Sequence, residues 1–220
     1  MPAGDVDYVY ESEGKQLYRD YVKSQFRRRS LSVSSDGKLL GKWLEPIGSQ
    51  AKSFEYLLAS KTIDADCLIG IDLHPAAPLM SQANIEACRL LFPESSFYCQ
   101  SWWDFCHLYQ GTDVKYIVYD LYTSTTGVEF RSNMSAIFSL VKRCLTTQGQ
   151  VLLAVTVDLT ATLRQRKGLR EFEAELDDLF TCRTIRHSSF STQDLFRYKT
   201  STRGNEMGAL VLEFFNQDFD

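Results

Sequence analysis

Short apolar segments alternate with amphipathic segments along most of this chain. We predict strands over residues 42–46, 67–71, 96–100, 114–119 and 151–157. Of these, 67–71 is a short, largely apolar run bounded by turn residues, which is typical of a buried strand. Between and after them, apolar residues recur three and four positions apart, which predicts helices over residues 51–60, 79–91, 132–145 and 163–180. Strands that alternate with helices favour a parallel sheet with right-handed crossovers.

The two ends of the chain modify this plan. Apolar residues from Leu17 onward predict a helix of roughly 14 residues, which would pack across the sheet or the mouth of a site. Near the C-terminus, predicted strands 181–190 and 207–215 are joined by a polar loop, which favours an antiparallel pair. We therefore predict a doubly wound α/β fold with helices on both faces of a seven-stranded, mostly parallel sheet whose last strand is antiparallel. Residues 1–41 would pack as a helix and connector on a single domain formed by residues 42–220.

Composition argues against several classes of protein. No apolar run reaches the roughly 18 residues of a membrane span, and the N-terminal residues form no apolar signal segment. The six cysteines lack CxxC spacing and a companion histidine pattern, so we expect no metal site and a reducing, cytoplasmic setting. The net charge of −4 argues against a protein that coats nucleic acid through bulk charge.

Local basic segments still allow contact with nucleic acid. Residues 23–29 and 164–170 are rich in lysine and arginine, and each is either a solvated face or a phosphate-binding surface beside a cleft. Residues 196–199, Phe-Arg-Tyr-Lys, interleave aromatic and basic side chains on a predicted loop. This pattern is typical either of a solvated hairpin tip or of a surface for single-stranded nucleic acid.

Carboxylates follow several of the predicted strands. Asp72 comes directly after strand 67–71, and Asp120 directly after strand 114–119. In open α/β sheets, ligands bind beyond the carboxyl ends of the strands. Asp72 is therefore placed either to accept hydrogen bonds from the two hydroxyls of a ribose or to cap the helix that follows. The pattern around Asp72 alone leaves both interpretations open.

The order of these motifs resembles the class I S-adenosylmethionine-dependent methyltransferases, from about residue 42 to residue 215. Residues 43–49 resemble the first-strand motif, in which an acid precedes a glycine-rich turn, and residues 69–72 resemble the second-strand motif with its ribose-binding acid. Residues 97–102 are similar to the third strand and the segment that flanks adenine. Residues 116–120 are similar to the fourth strand, which carries catalytic or substrate-contacting residues.

This resemblance implies a cofactor, S-adenosylmethionine, and a set of site residues. The cofactor would be bound by Glu45, Gly48, Ser49, Asp72, Leu73, Ser101 and Trp102. Asp120 would be the catalytic residue that orients the methyl acceptor, and the acceptor would contact Tyr122, Lys42, Arg28 and Lys199. Nucleic acid, with RNA favoured, is the expected acceptor, because Asp120 and a glutamate at position 206 or 213 match part of the Lys-Asp-Lys-Glu set of ribose 2′-O-methyltransferases.

The chain also departs from the family. Ile47 lies where the turn usually has a glycine, no proline pair follows Asp120, and residues 151–158 contain no lysine to act as general base. These departures define an alternative: a catalytically inactive protein of methyltransferase fold that serves as a binding or structural subunit for a protein partner.

Overall fold

A computed structural model describes residues 13–47, 51–72, 78–120, 128–159, 169–182, 184–188, 195–199 and 206–216. Its helices are α1 Glu13–Arg29, α2 Lys52–Ala59, α3 Pro78–Leu91, α4 Trp102–Leu108, α5 Val128–Gln148 and α6 Leu169–Phe180. Its strands are β1 Lys42–Pro46, β2 Leu68–Ile71, β3 Ser96–Tyr98, β4 Val114–Tyr119, β5 Gln150–Asp158, β6 Ile185–His187, β7 Phe196–Lys199 and β8 Glu206–Asn216.

The strands form one mixed sheet in the order β3-β2-β1-β4-β5-β8-β6, and β7 also pairs with β8. Strands β1 to β5 run parallel to one another, whereas β8 is antiparallel to β5 along nine residue pairs from Gln150↔Phe215 to Asp158↔Met207. Strand β2 lies inside the sheet between β1 and β3, as the apolar run 67–71 predicts. The predicted fold class is therefore confirmed.

The C-terminal edge differs from the prediction in one respect. Within the described residues the sheet has eight strands rather than seven, because both β6 and β7 pair with the outer side of β8. Strand β6 is shorter than the predicted strand 181–190, and β7 occupies a segment that we predicted to be a loop. The long β8 provides backbone partners at both of its ends, so two short strands complete this edge.

Helices cover both faces of the sheet, and each face has its own hydrophobic core. On one face, Phe105 of α4, Phe138 of α5 and Phe172 of α6 pack with the buried side chains of the central strands. On the other face, Phe26 of α1 and Phe54 of α2 belong to a second buried cluster. We call this second side of the sheet the α1 face.

Helix α1 lies on the α1 face and runs from the carboxyl ends of the parallel strands towards their amino ends. Tyr18, Val22 and Phe26 recur every four residues and are buried, and the Phe26 ring lies 5.0 Å from the ring of Trp43. The last residue of α1, Arg29, forms a 3.0 Å ion pair with Glu213 of β8. Glu213 is the strand partner of Leu152, near the start of β5, so α1 ends where the parallel strands begin. The beginning of α1 therefore lies near the carboxyl ends of those strands.

Candidate cofactor and acceptor site

Three acidic residues lie at the carboxyl ends of adjacent strands. Glu45 is the fourth residue of β1, Asp72 follows β2, and Asp120 follows β4. The sheet order β2-β1-β4 makes these strands neighbours, and their parallel direction brings all three carboxyl ends to one edge. We call this the carboxyl edge.

Glu45 is a buried carboxyl group with one oxygen unbonded. Only 4% of the residue is exposed, and the indole Nε1 of Trp43 donates a 2.8 Å hydrogen bond to Oε2. Within the described part of the chain, Oε1 accepts no hydrogen bond of good geometry. Burial raises the pKa of Glu45 to about 7, against the lowering effects of Trp43, Ser53 and Arg19. Ser53 is also close to this carboxyl group, so Glu45 Oε1 is a buried acceptor whose hydrogen bonding is incomplete within the described residues.

Asp120 lies on the same face of the sheet, next to β5. The hydroxyl of Thr156 donates a 3.1 Å hydrogen bond to Asp120 Oδ1. Burial raises the pKa of Asp120, although the positive charge of Lys15, the Thr156 hydrogen bond and Arg19 act in the opposite direction. A carboxylate with a raised pKa is suited to take a proton from a bound group.

Asp72 lies at the end of β2 and is partly buried. Its backbone N–H donates to the carbonyl of Tyr98, and its Oδ2 accepts a 3.2 Å hydrogen bond from Asn84 of α3. The described part of helix α3 begins at Pro78, and residues 73–77 lie outside the described segments. The Asp72 carboxylate lies at the carboxyl edge, and both the ribose-binding and the helix-capping interpretations stay predictions.

The turn after β1 is described only at its two ends, since Gly48 and Ser49 lie outside the described residues, as does Leu73 after β2. Ile47 is 6% exposed and belongs to the core of the α1 face, where its Cγ2 would lie 2.9 Å from a Cβ placed on Gly70. At the other end of the turn, Ala51 adopts a left-handed backbone conformation with φ 42°. The isoleucine at a usual glycine position thus packs into the core against a glycine of the neighbouring strand.

Ser101 and Trp102 have clear structural partners. Ser101 caps α4, because its hydroxyl accepts a hydrogen bond from the Asp104 N–H and donates to the Asp104 carboxylate at 2.6 Å. Trp102 is 4% exposed, and its ring lies 5.3 Å from that of Tyr119 in the core opposite the α1 face. Its Nε1 has no hydrogen-bond partner among the described residues, whereas the neighbouring Trp103 is 45% exposed.

Of the predicted acceptor-binding residues, the three that the structure describes, Lys42, Arg28 and Lys199, are not brought together. Lys42 begins β1 at the opposite edge of the sheet, where its ammonium lies 3.2 Å from Asp113. Arg28 lies in the last turn of α1, next to Arg29 at that same edge, and it donates to Gln25. Contact between Lys42 or Arg28 and an acceptor at Asp120 is therefore not supported. Lys199 ends β7 close to the start of α1 at the carboxyl edge, and Tyr122 lies outside the described residues.

The segment Phe196–Lys199 is a strand, so its predicted role as a mobile, base-stacking loop needs correction. Phe196 stacks on Tyr21 at 4.4 Å between ring centroids, and Tyr198 stacks on Tyr18 at 5.3 Å. Both aromatic rings are therefore occupied by α1, while Arg197 and Lys199 are exposed. The alternation of aromatic and basic residues reflects the two faces of a strand.

Sequence reasoning missed the contribution of α1 to this site. Lys15 and Arg19 lie four residues apart and both lower the pKa of Asp120, and Tyr18 is close enough to Glu45 and Asp120 that these acids raise its own pKa. The sequence predicted that this helix would pack across the sheet or the mouth of a site, but it did not show which of its polar side chains would lie near Asp120.

Membrane-spanning helices and metal-binding clusters are both absent from the described residues. Among the helices of the described segments, none is long and apolar enough to cross a membrane. The same segments contain no group of three or more histidine, cysteine, aspartate or glutamate side chains that could hold a metal ion.

Comparison with known proteins identifies the fold. No protein-family model matches this chain. A search among curated proteins likewise finds no match. Among solved structures, the chain is similar to TYW2 from M. jannaschii in complex with AdoMet, with a TM-score of 0.53 and 11% identity over 96% of this chain and 80% of that chain.

Weaker similarities lead to proteins of the same kind. An O-methyltransferase from Bacillus cereus in complex with SAH is 7% identical, with a TM-score of 0.49 over 91% of this chain and 81% of that one. The magnesium protoporphyrin IX methyltransferase ChlM from Synechocystis PCC 6803 with bound SAM is 15% identical, with a TM-score of 0.45 over 93% and 80% of the two chains. At such low identity the similarity to TYW2 establishes architecture alone. The strand order of this chain and its structural similarity to TYW2 show that the chain has the fold of the class I S-adenosylmethionine-dependent methyltransferases.

Proposed function

We propose that this protein is an S-adenosylmethionine-dependent methyltransferase whose cofactor binds at the carboxyl edge. The observation that carries this proposal is the buried Glu45 carboxyl, whose Oε1 lacks a hydrogen bond within the described residues at the edge shared with Asp72 and Asp120. A buried polar atom without a partner costs about 1–3 kcal/mol, and a bound ligand with a hydrogen-bond donor would remove that cost. The fold, shared with TYW2 in its AdoMet complex, supports the choice of ligand.

The residues present fit this cofactor at several points. Asp72 would accept hydrogen bonds from the ribose hydroxyls, and Glu45 would face the positively charged part of the ligand. Ile47 is packed into the core against Gly70, which supports an arrangement in which its side chain stays out of the ligand. Gly48, Ser49, Leu73, Ser101 and Trp102 complete the proposed cofactor-binding set.

Chemistry at this site needs little from the protein beyond positioning and proton transfer. The bound cofactor supplies a methyl group activated on a sulfonium centre. Asp120 would bind the acceptor through the proton on its reacting atom and would take that proton as the methyl group is transferred. Its raised pKa, caused by burial, favours the protonated product state. Holding the two reactants in line provides most of the acceleration in such a transfer.

A calorimetric titration with S-adenosylmethionine or S-adenosylhomocysteine tests the cofactor proposal. Asp72→Ala should weaken binding about tenfold or more, since hydrogen bonds to a charged group contribute roughly 1.5–3 kcal/mol. Asp66→Ala is a matched control, because Asp66 is an exposed aspartate at the amino end of the same strand. Equal affinity for the Asp72→Ala variant and the unchanged protein would remove Asp72 from the site.

For the acceptor, we propose RNA as the first class to test. This proposal rests on Lys199 and Arg197, two exposed basic side chains of β7 near the carboxyl edge, and on the basic segment 164–170, of which residues 164–168 lie outside the described segments. Lys199→Ala should weaken RNA binding and reduce its salt dependence, whereas Arg28→Ala should not, because Arg28 lies at the other edge. No transfer of labelled methyl groups to RNA, with cofactor binding intact, would direct the search to small-molecule acceptors.

A non-catalytic role is the second candidate, and two observations favour it: Ile47 at the usual glycine position and the absence of lysine from residues 150–158. In that role, the protein would bind a protein partner as a structural subunit. An unchanged melting temperature at millimolar cofactor would support this role, and restored binding in Ile47→Gly would identify the turn as the cause. A clear thermal shift in the unchanged protein would reject it.

A further inference from the structure

Lys115 is a buried lysine at the end of the sheet opposite the carboxyl edge, which we call the amino edge. It is the second residue of β4, and only 4% of it is exposed. Its Nζ lies 2.5 Å from the hydroxyl oxygen of Ser32. Within the part of the chain that the structure describes, Lys115 has no carboxylate partner, whereas Lys42 of the neighbouring β1 pairs with Asp113. Burial lowers the pKa of Lys115, which favours the neutral amine that can accept a proton.

The backbone of Ser32 is fixed by several hydrogen bonds. Its N–H donates to Ser30 Oγ at 3.1 Å, and its carbonyl accepts from the Leu40 N–H at the same distance. The hydroxyls of Ser30 and Tyr116 are 2.7 Å apart, and the Tyr116 hydroxyl also lies 3.3 Å from the Ser32 carbonyl. Ser32 itself remains partly exposed. Its hydroxyl therefore combines a fixed position with contact to a buried amine.

Gly41 makes room for the stem of this lysine. A Cβ placed on Gly41 would lie 2.9 Å from Cβ and 3.2 Å from Cδ of Lys115, and the φ of Gly41 is +111°. Another residue at position 41 would therefore displace the lysine stem and strain the backbone. The glycine thus allows the amine to reach Ser32 from within the sheet.

Apolar side chains are exposed next to the Ser32 hydroxyl. Leu31 and Val33, its neighbours in the chain, are 75% and 40% exposed, and Leu40, bonded to its carbonyl, is 47% exposed. Exposed apolar side chains that adjoin one another are typical of a surface that binds an apolar group. A substrate with an apolar chain therefore suits this end of the molecule.

We propose that Ser32 and Lys115 form a serine–lysine dyad that accepts the acyl group of an activated carboxylic ester with an apolar acyl chain. The neutral Nζ of Lys115 takes the hydroxyl proton while Ser32 Oγ forms a bond to the carbonyl carbon. The bond from that carbon to the leaving oxygen then breaks, and Lys115 returns the proton to this oxygen. The products are an ester of Ser32, a free alcohol and a neutral lysine, so the step needs no other reactant. This acyl transfer is separate from the proposed methyl transfer, because it takes place at the opposite end of the sheet.

Two chromogenic esters, p-nitrophenyl acetate and p-nitrophenyl hexanoate, provide the test in the absence of S-adenosylmethionine. The unchanged protein should release nitrophenolate in a stoichiometric burst, and peptide mass mapping should locate the new acyl group on Ser32. Hexanoate should react faster than acetate, since each methylene group buried on an apolar surface favours binding about fourfold.

Variants of the two dyad residues separate their roles. Ser32→Ala should abolish the burst. Lys115→Met keeps an unbranched buried side chain without the amine and should slow the acylation of Ser32 about a hundredfold or more, as expected for loss of a general base. Lys115→Arg should not restore the rate, because a guanidinium group stays protonated.

The matched control is Ser34→Ala, which removes a hydroxyl two residues further along, where it bonds to Asp36 and to the Lys38 carbonyl. Its burst should equal that of the unchanged protein, and thermal melting of every variant should verify folding. An acyl group found on other residues in place of Ser32, no burst in the unchanged protein, or equal rates for Lys115→Met and the unchanged protein would each overturn the dyad. None of these outcomes affects the cofactor proposal, which calorimetry tests separately.

Discussion

The packing of Ile47 against Gly70 leads to the sharpest prediction for this fold. Ile47 stands where the family has a glycine, and its neighbour in β2 is a glycine without room for a side chain. A Cβ placed on Gly70 would lie 2.8 Å from Cδ1 of Phe97 and 2.9 Å from Cγ2 of Ile47. Gly70→Ala should therefore overpack this part of the core, which typically costs about 1–3 kcal/mol. Alanine regains about 0.5–1 kcal/mol over glycine in a strand, so we expect a net loss of about 0.5–2 kcal/mol.

Urea denaturation monitored by circular dichroism measures this loss as a change in midpoint at constant slope. The melting temperature should fall by about 2–4 °C per kcal/mol in a chain of this size. Gly208→Ala is the matched control, because the nearest atoms to a Cβ placed there are side-chain carbons of Leu159 and Leu195, at 3.3–3.4 Å. We expect its effect on stability to be close to zero.

A double-mutant cycle isolates the contact between the two residues. Ile47→Ala alone should cost about 2–5 kcal/mol, as for other truncations of buried isoleucine. Combined with Gly70→Ala, the loss should be smaller than the sum by about 0.5–3 kcal/mol, since the smaller side chain makes room for the new methyl group. Additive losses, or a stabilising effect of Gly70→Ala, would refute the argument that glycine at 70 accommodates isoleucine at 47.

Three further predictions follow from single contacts. Gly14→Ala should destabilise the protein, because the new Cβ would collide with the Lys199 carbonyl. The same change in an unobstructed helix stabilises it by about 1 kcal/mol. Hydrogen exchange should increase in α1 and β7, and a gain in stability would contradict the prediction. Burial raises the pKa of Glu45 from 4.5 to about 7, which stabilises the folded protein most below pH 4.5, and this benefit disappears as the pH rises to 7. Relative to Glu45→Gln, the free energy of unfolding should therefore fall by about 3 kcal/mol between pH 4.5 and pH 7, measured by urea denaturation. A constant difference between the two proteins would contradict this. Ser101→Ala should cost about 1 kcal/mol through loss of the α4 cap on Asp104, and an unchanged melting temperature would exclude that role.

The sequence by itself determined the architecture and the position of the acids within it. The predicted strand runs 42–46 and 114–119 coincide with β1 and β4, although each buries one charged residue, Glu45 or Lys115. Asp72 and Asp120 follow such runs directly, so their places at the carboxyl edge follow from the parallel topology. These inferences succeeded because they depend on local patterns and on a topology that parallel sheets impose.

Only the tertiary structure decided which polar residues share a site. Lys42 and Arg28 carry suitable charges, but the directions of β1 and α1 place them at the edge opposite Asp120. Tyr18 resembles any other apolar position of an amphipathic helix in the sequence, yet the path of α1 across the sheet buries it against Tyr198 of β7. The physical reason is that side-chain pattern specifies which face of an element is buried, whereas the contacts at its ends depend on long-range packing.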